Sequence, residues 1–200
     1  MPARRLPSLR FELLEDRLTP AGDLDPTFGV GGQAVLPFGT GGGGPTASGV
    51  VTLPTGEVIV AGTVVVPAVN QSEFAIARLT WSGAPDPTFG TGGQVIVDVA
   101  AGGGSAYAVA VQPDGKVIAV GQAVATAAQP TSDIRFAVVR LNSDGSLDST
   151  FGAGGKVLVL FDQGASSASA VAVQSDGKIV GVGTWSCPAS HRTCRTPTSL

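Results

Sequence analysis

The chain has 200 residues, 14% of them charged and 43% hydrophobic, with 29 glycines and a formal net charge of −3. That balance excludes disorder, which needs low hydrophobicity and high net charge, and it offers neither a basic field for nucleic acid nor a polybasic patch for an anionic membrane. No apolar run approaches the roughly 20 residues of a spanning helix, because Gly62, Thr63 and Pro67 interrupt even the longest valine-rich stretch.

Residues 1–22 form an arm of different character, with Arg4, Arg5, Arg10 and Arg17. It lacks the apolar core of a secretory signal. Residues 8–18 are expected to make one amphipathic helix, with Ser8 as N-cap and Pro20 beyond its end. The stretch FELLEDRLTPA resembles the short Leu-Glu-x-Arg-x-Leu segment that opens many surface and exported proteins of planctomycete bacteria. That resemblance implies an extracytoplasmic destination.

From residue 23 the chain repeats itself. DPTFGVGGQAV at 25–35 returns as DPTFGTGGQVI at 86–96 and as DSTFGAGGKVL at 148–158, offset by 61 and then 62 residues. LPTGEVIVAG (53–62), QPDGKVIAVG (112–121) and QSDGKIVGVG (174–183) keep the same beat, as do FAIARLTWSG (74–83) and FAVVRLNSDG (136–145). A fixed period means modules that stack on their neighbours to bury their apolar faces. Three tandem units are expected at 23–84, 85–146 and 147–185, the last incomplete, with an atypical tail at 186–200.

Each unit is expected to hold four strands, taken in the middle unit as 94–99, 106–112, 116–123 and 134–141. The second and third are joined by tight turns at Gly56, Gly115 and Gly177, where a two-residue turn needs the positive φ that glycine accepts. Along AYAVAV, Ala106, Ala108 and Ala110 are expected on one face and Tyr107, Val109 and Val111 on the other, with no charge on either. Sheets covered on both faces and repeated at this period predict an all-β protein built of four-stranded antiparallel β-propeller blades, rather than a sandwich with one solvated face.

The phrase Asp-Pro/Ser-Thr-Phe-Gly-x-Gly-Gly is expected to link one blade to the next. Asp25, Asp86 and Asp148 would close Asx-turns, Phe28, Phe89 and Phe151 would plug between blades, and the glycine pairs 31–32, 92–93 and 154–155 would permit a close turn. LNSDGSLDSTFGAGGKV followed by AVAVQSDGKIVGVG is similar to the delta-60 repeat, a β-propeller repeat of unknown function in bacterial exported and surface proteins. The resemblance covers about residues 23–184 and implies a propeller in an extracellular setting, with no active site to transfer. The first unit departs from it, having Thr55 where the others have aspartate and an extended GTGGGGPTASG at 39–49.

Chemistry is sparse. Histidine-based nucleophilic catalysis needs a positioned imidazole, and the sole histidine, His191, lies in the tail. Cys187, His191 and Cys194 give three zinc-ligand types where structural zinc takes four, so an incidental tail or a Cys187–Cys194 disulfide is the simpler expectation. Asn142, Asp144 and Asp148 partly mimic a calcium loop but lack a distal glutamate, and plain turn-capping competes with that role. Arg78 and Arg140 each stand eight residues before Asp86 and Asp148, a spacing that predicts a structural ion pair across a turn. Trp81 and Trp185 are candidate sugar-stacking platforms.

The third unit stops before its Phe-Ala-x-x-Arg-Leu strand, so an incomplete propeller of about two and a half to three blades is expected, a piece of a longer parent or a chain that self-associates through open blade faces. The sequence therefore predicts a non-enzymatic exported or cell-surface segment with a structural, adhesion or ligand-binding role and no cofactor, its partner a protein or a glycan. Segments 39–47, 64–73 and 124–133 are the contact candidates. Alternatives are a calcium- or carbohydrate-binding module and a non-catalytic fragment of a larger enzyme.

Overall fold

The computed structural model describes residues 23–38, 44–126, 128, 133–161 and 164–186. The N-terminal arm and the tail with Cys187, His191 and Cys194 lie outside the described residues, as do parts of two contact segments.

The described residues are all-β. The first sheet holds β1 (Thr46–Thr52), β2 (Val58–Val66), β3 (Gln71–Leu79) and β4 (Gln94–Val97) in that order. The second holds β5 (Gly104–Val111), β6 (Val117–Val124), β7 (Ile134–Leu141) and β8 (Lys156–Val159), and the third holds β9 (Ser166–Val173) and β10 (Ile179–Trp185). Every pairing is antiparallel. The first strands β1, β5 and β9 gather beside one another, as blades do around an axis, and the three sheets form an unclosed propeller segment.

Sheet and sequence repeat are out of phase by one strand. Residues 94–97 pair with β3 of the preceding unit (Phe74↔Val97, Ala77↔Gln94), so the strand expected to open the middle unit is the outermost strand of the first sheet. The Asp-Pro-Thr-Phe-Gly phrase consequently joins the third and fourth strands within one sheet, not one blade to the next. The same offset explains residues 34–38, which match 95–99 but form no strand: no preceding third strand pairs with them among the described residues.

The hairpin turns also differ from expectation. Gly115 N–H donates to Gln112 O at 2.9 Å and Gln112 N–H to Lys116 O at 2.8 Å, a three-residue loop in which only the glycine has positive φ (83°). A type I turn followed by a left-handed glycine gives this geometry, and Leu53–Glu57 and Gln174–Lys178 repeat it.

Alternation along β6 assigns the two cores. Val117 and Ala119 pack with Ile59, Ala61, Phe74 and Ile76 of the first sheet, whereas Ile118 and Val120 pack with Ala168, Val171 and Ile179 of the third. Along β5 the expected alternation breaks, because a bulge lies between Ala106 and Ala108. Ala106 therefore shares the first-sheet side with Val109 and Val111, while Ala108 faces the third sheet. The bulge recurs in β1 and in the β9–β10 pair. At each one a glycine faces it, and at Gly121 a Cβ would stand 1.9 Å from Ser105 O, so only glycine fits.

Candidate functional site

The recurring polar residues converge on one latch per four-stranded sheet. In the second sheet, Asp148 Oδ1 accepts from Thr150 N–H (3.0 Å) and Thr150 Oγ1 (2.6 Å), and Oδ2 faces Arg140 Nε at 2.8 Å and Lys116 Nζ at 3.2 Å. The Thr150 hydroxyl first, then its N–H, Lys116 and Arg140 hold this carboxyl well below the usual range, against the opposing effect of burial. In the first sheet, Asp86 caps Thr88 in the same way and meets Arg78 Nε at 2.7 Å. Burial opposes ionisation there too, but the Thr88 and Arg78 contacts leave the Asp86 carboxyl below its ordinary value. Asp25 caps Thr27 with no arginine partner among the described residues.

Each arginine also lies over a phrase phenylalanine, Arg78 at 4.9 Å from the Phe89 ring and Arg140 at 4.4 Å from Phe151. Phe89 is fully buried at the junction of the first two sheets, while Phe28 and Phe151 are half-buried. Two further bonds cross that junction: Arg78 Nη1 donates to Ser143 O at 2.6 Å, and Gly90 N–H to Asp144 O at 2.7 Å. Gly29 N–H to Ser82 O, at 2.8 Å, repeats the second bond one unit earlier.

Beside this crossing lies an open groove of about 600 Å³ lined by Thr91, Gln94, Ile96, Asp144 and Ser146. One wall is apolar, from Val95 and Ile96, and the Thr91 and Ser146 hydroxyls, the Gln94 amide and the Asp144 carboxylate supply its polar groups. The expected calcium loop does not assemble here. Asn142 Nδ2 donates to Ser146 Oγ and Asp144 Oδ1 accepts from Ser146, so those two meet at one hydroxyl, whereas both Asp148 oxygens are taken up within the latch by Thr150, Arg140 and Lys116. Among the described residues no cluster of three His, Cys, Asp or Glu side chains could hold a metal ion.

Of the contact segments, 64–73 is mostly strand: β2 runs to Val66 and β3 starts at Gln71, leaving a hairpin at Pro67–Asn70 with Asn70 at φ 51°. Trp81 is largely exposed beside the Gly56 turn, whereas Trp185 donates its Nε1–H to Phe161 O and is not a free platform.

Sequence reasoning passed over Lys116 and Glu73. The signal for Lys116 was its recurrence after Asp-Gly as Lys178; Glu57 takes that place in the first repeat. Glu73 gave no signal, since Arg135 occupies its position in the next unit. It is buried on β3, accepts from Val99 N–H at 3.3 Å, and anchors the passage from β4 to β5. Burial pushes its carboxyl up to about 6, with Asp98 adding to the rise and the Val99 N–H and Lys156 opposing it. The folded chain thus holds this proton more tightly than the unfolded one, so stability is full below about pH 4.5 and declines as pH rises to about 6. Glu73→Gln, which keeps the acceptor, is expected to flatten that decline. Thermal melts at pH 4 and pH 7 should show its midpoint exceeding wild type by a few degrees at pH 7 only; equal gains at both would refute the assignment.

Residues 53–89 and 112–151 match the family described as Domain of unknown function (DUF5122) beta-propeller. The match is to a β-propeller repeat. Its two segments run from the β1–β2 and β5–β6 turns to the buried and half-buried phenylalanines of the two latches, so both latches lie within the matched residues. No curated protein matches the chain.

Proposed function

We propose that the chain is a non-enzymatic segment of an exported or cell-surface β-propeller of the delta-60 type, with a structural, adhesion or ligand-binding role. One observation carries the proposal: the recurring charged residues Arg78, Asp86, Lys116, Arg140 and Asp148 are engaged with one another inside the latches, so the repeat's chemistry is architectural. The N-terminal FELLEDRLTPA segment supports the destination, and the Thr91–Ser146 groove is the surface we assign to a polar ligand. An epitope-tagged chain expressed in its native host should be cut by protease added to intact cells. A chain cut only after lysis would defeat the proposed location.

A carbohydrate-binding role is the second reading, favoured by the exposed Trp81 ring. Glycans that quench tryptophan emission in wild type and fail to do so in Trp81→Ala would support it; the same quenching in both would remove Trp81 from consideration.

A further inference from the structure

The two ends of the sheet stack display the two halves of its own internal junction. On the side each sheet turns toward the following one, Ile59 and Ala61, then Ile118 and Val120, are at most 1% exposed. The matching residues of the third sheet, Val180 and Val182, are 42% and 57% exposed. On the opposite side, Val109 of β5 is 8% exposed against the first sheet, whereas its counterpart Val50 in β1 is 66% exposed. At these positions each terminal sheet leaves open what the junctions inside the molecule bury, and the strands concerned, β1, β9 and β10, contain no charged residue to desolvate.

The ends are also complementary in their strand inventory. Ala34, Leu36 and Phe38 already lie over the outer part of the first sheet, around Ala75 and Leu79, in the place a preceding blade's fourth strand would take. A cavity of about 240 Å³ remains between them and the sheet. At the other end, β9 and β10 are a blade's first and second strands. The β9–β10 pair of one molecule and the 34–38 segment of another thus cover different parts of a single face.

We propose that this chain associates head to tail with a second copy, Val180 and Val182 of one molecule packing on Val50 of the next. The contact continues the geometry in which Ile118 and Val120 meet Val171, the Val50 equivalent, inside the molecule. It is heterologous, so it propagates until a ring closes or a filament grows. The inference does not depend on the proposed location or ligand.

Sedimentation velocity on the 200-residue chain over a hundredfold concentration range should show a rising average mass. Val50→Lys and Val182→Lys alter exposed positions, so each should keep the wild-type thermal midpoint in dilute solution and remain monomeric. An equimolar mixture of the two should give dimers and nothing larger, because one intact face of each kind survives. Wild type that stays monomeric throughout would overturn the proposal and leave these faces to another occupant, such as a further repeat. Assembly of either single variant, or a mixture that stays monomeric, would overturn it as well.

Discussion

Asp148→Ala is expected to lower the thermal midpoint by on the order of 10 °C, among the largest effects of any single polar substitution in the described chain. Its carboxylate is 4% exposed and joins four donors: the N–H and hydroxyl of Thr150, Arg140 Nε and Lys116 Nζ. Removing it leaves the mostly buried Arg140 guanidinium without its counterion and uncaps the turn that aims Phe151. Asp148→Asn retains the cap on Thr150 but not the charge, so its midpoint should fall between wild type and alanine. Asp144→Ala, whose exposed carboxylate only braces Ser146, should change the midpoint by no more than about a degree or two, as surface changes do.

The pH dependence separates the cap from the charge. Because the folded Asp148 carboxyl titrates below its ordinary value of 3.8, its contribution is complete above that value and is lost as pH falls through the folded pKa. Wild type should therefore lose stability between pH 4 and pH 2 more steeply than Asp148→Asn. Parallel acid limbs would mean that hydrogen-bond geometry alone, without the ion pairs, explains the latch. Asp86→Ala should cost less than Asp148→Ala, since Glu57 stands in the first repeat where Lys116 supplies the second cation.

The strands and turns were legible in the sequence because their signals are local. Asp-Gly between valine-rich runs marks Gly115 and Gly177, and the eight-residue interval from arginine to aspartate spans one strand end and one turn. Strand partnership was not local. Nothing within QVIVDV says whether it pairs forward with AYAVAV or backward with FAIARL, and the exposed apolar Ile96 and buried Val97 fit either choice. The latch decides it: Asp86 N–H donates to Arg78 O and Arg78 N–H to Gly93 O, both at 2.9 Å, which turns the chain back onto β3. The β5 bulge was hidden for a related reason. AYAVAV alternates perfectly as text, and the break at Tyr107 comes from Gly121 on the neighbouring strand, whose missing Cβ lets Ser105 O approach. Glu73 lay beyond reach because its role depends on a backbone N–H 26 residues away, and Arg135 at the equivalent place shows that the repeat does not carry it.

Phe89→Ala is expected to cost about 3–5 kcal/mol of unfolding free energy, the usual price of emptying a fully buried aromatic site. Phe89 has no exposed surface, belongs to the core between the first two sheets and lies beneath the Arg78 guanidinium. Phe151 is the natural control. Its turn makes the same backbone bonds, Phe151 N–H to Asp148 O and Gly155 N–H to Phe151 O, and Arg140 lies over its ring at 4.4 Å. Yet Phe151 is only half-buried, and the crossing bonds beside Phe89 have no described counterpart there. Phe151→Ala should therefore cost about half as much or less, since burial scales with area removed from water. Urea titrations of both variants, with unchanged slopes, would give the two values. Because ring, arginine and local turn are common to both sites, the difference isolates what closure of one sheet against the next contributes. Equal losses would place the phenylalanine's role within its own sheet and leave the junction to Ile59, Ile76 and Val139.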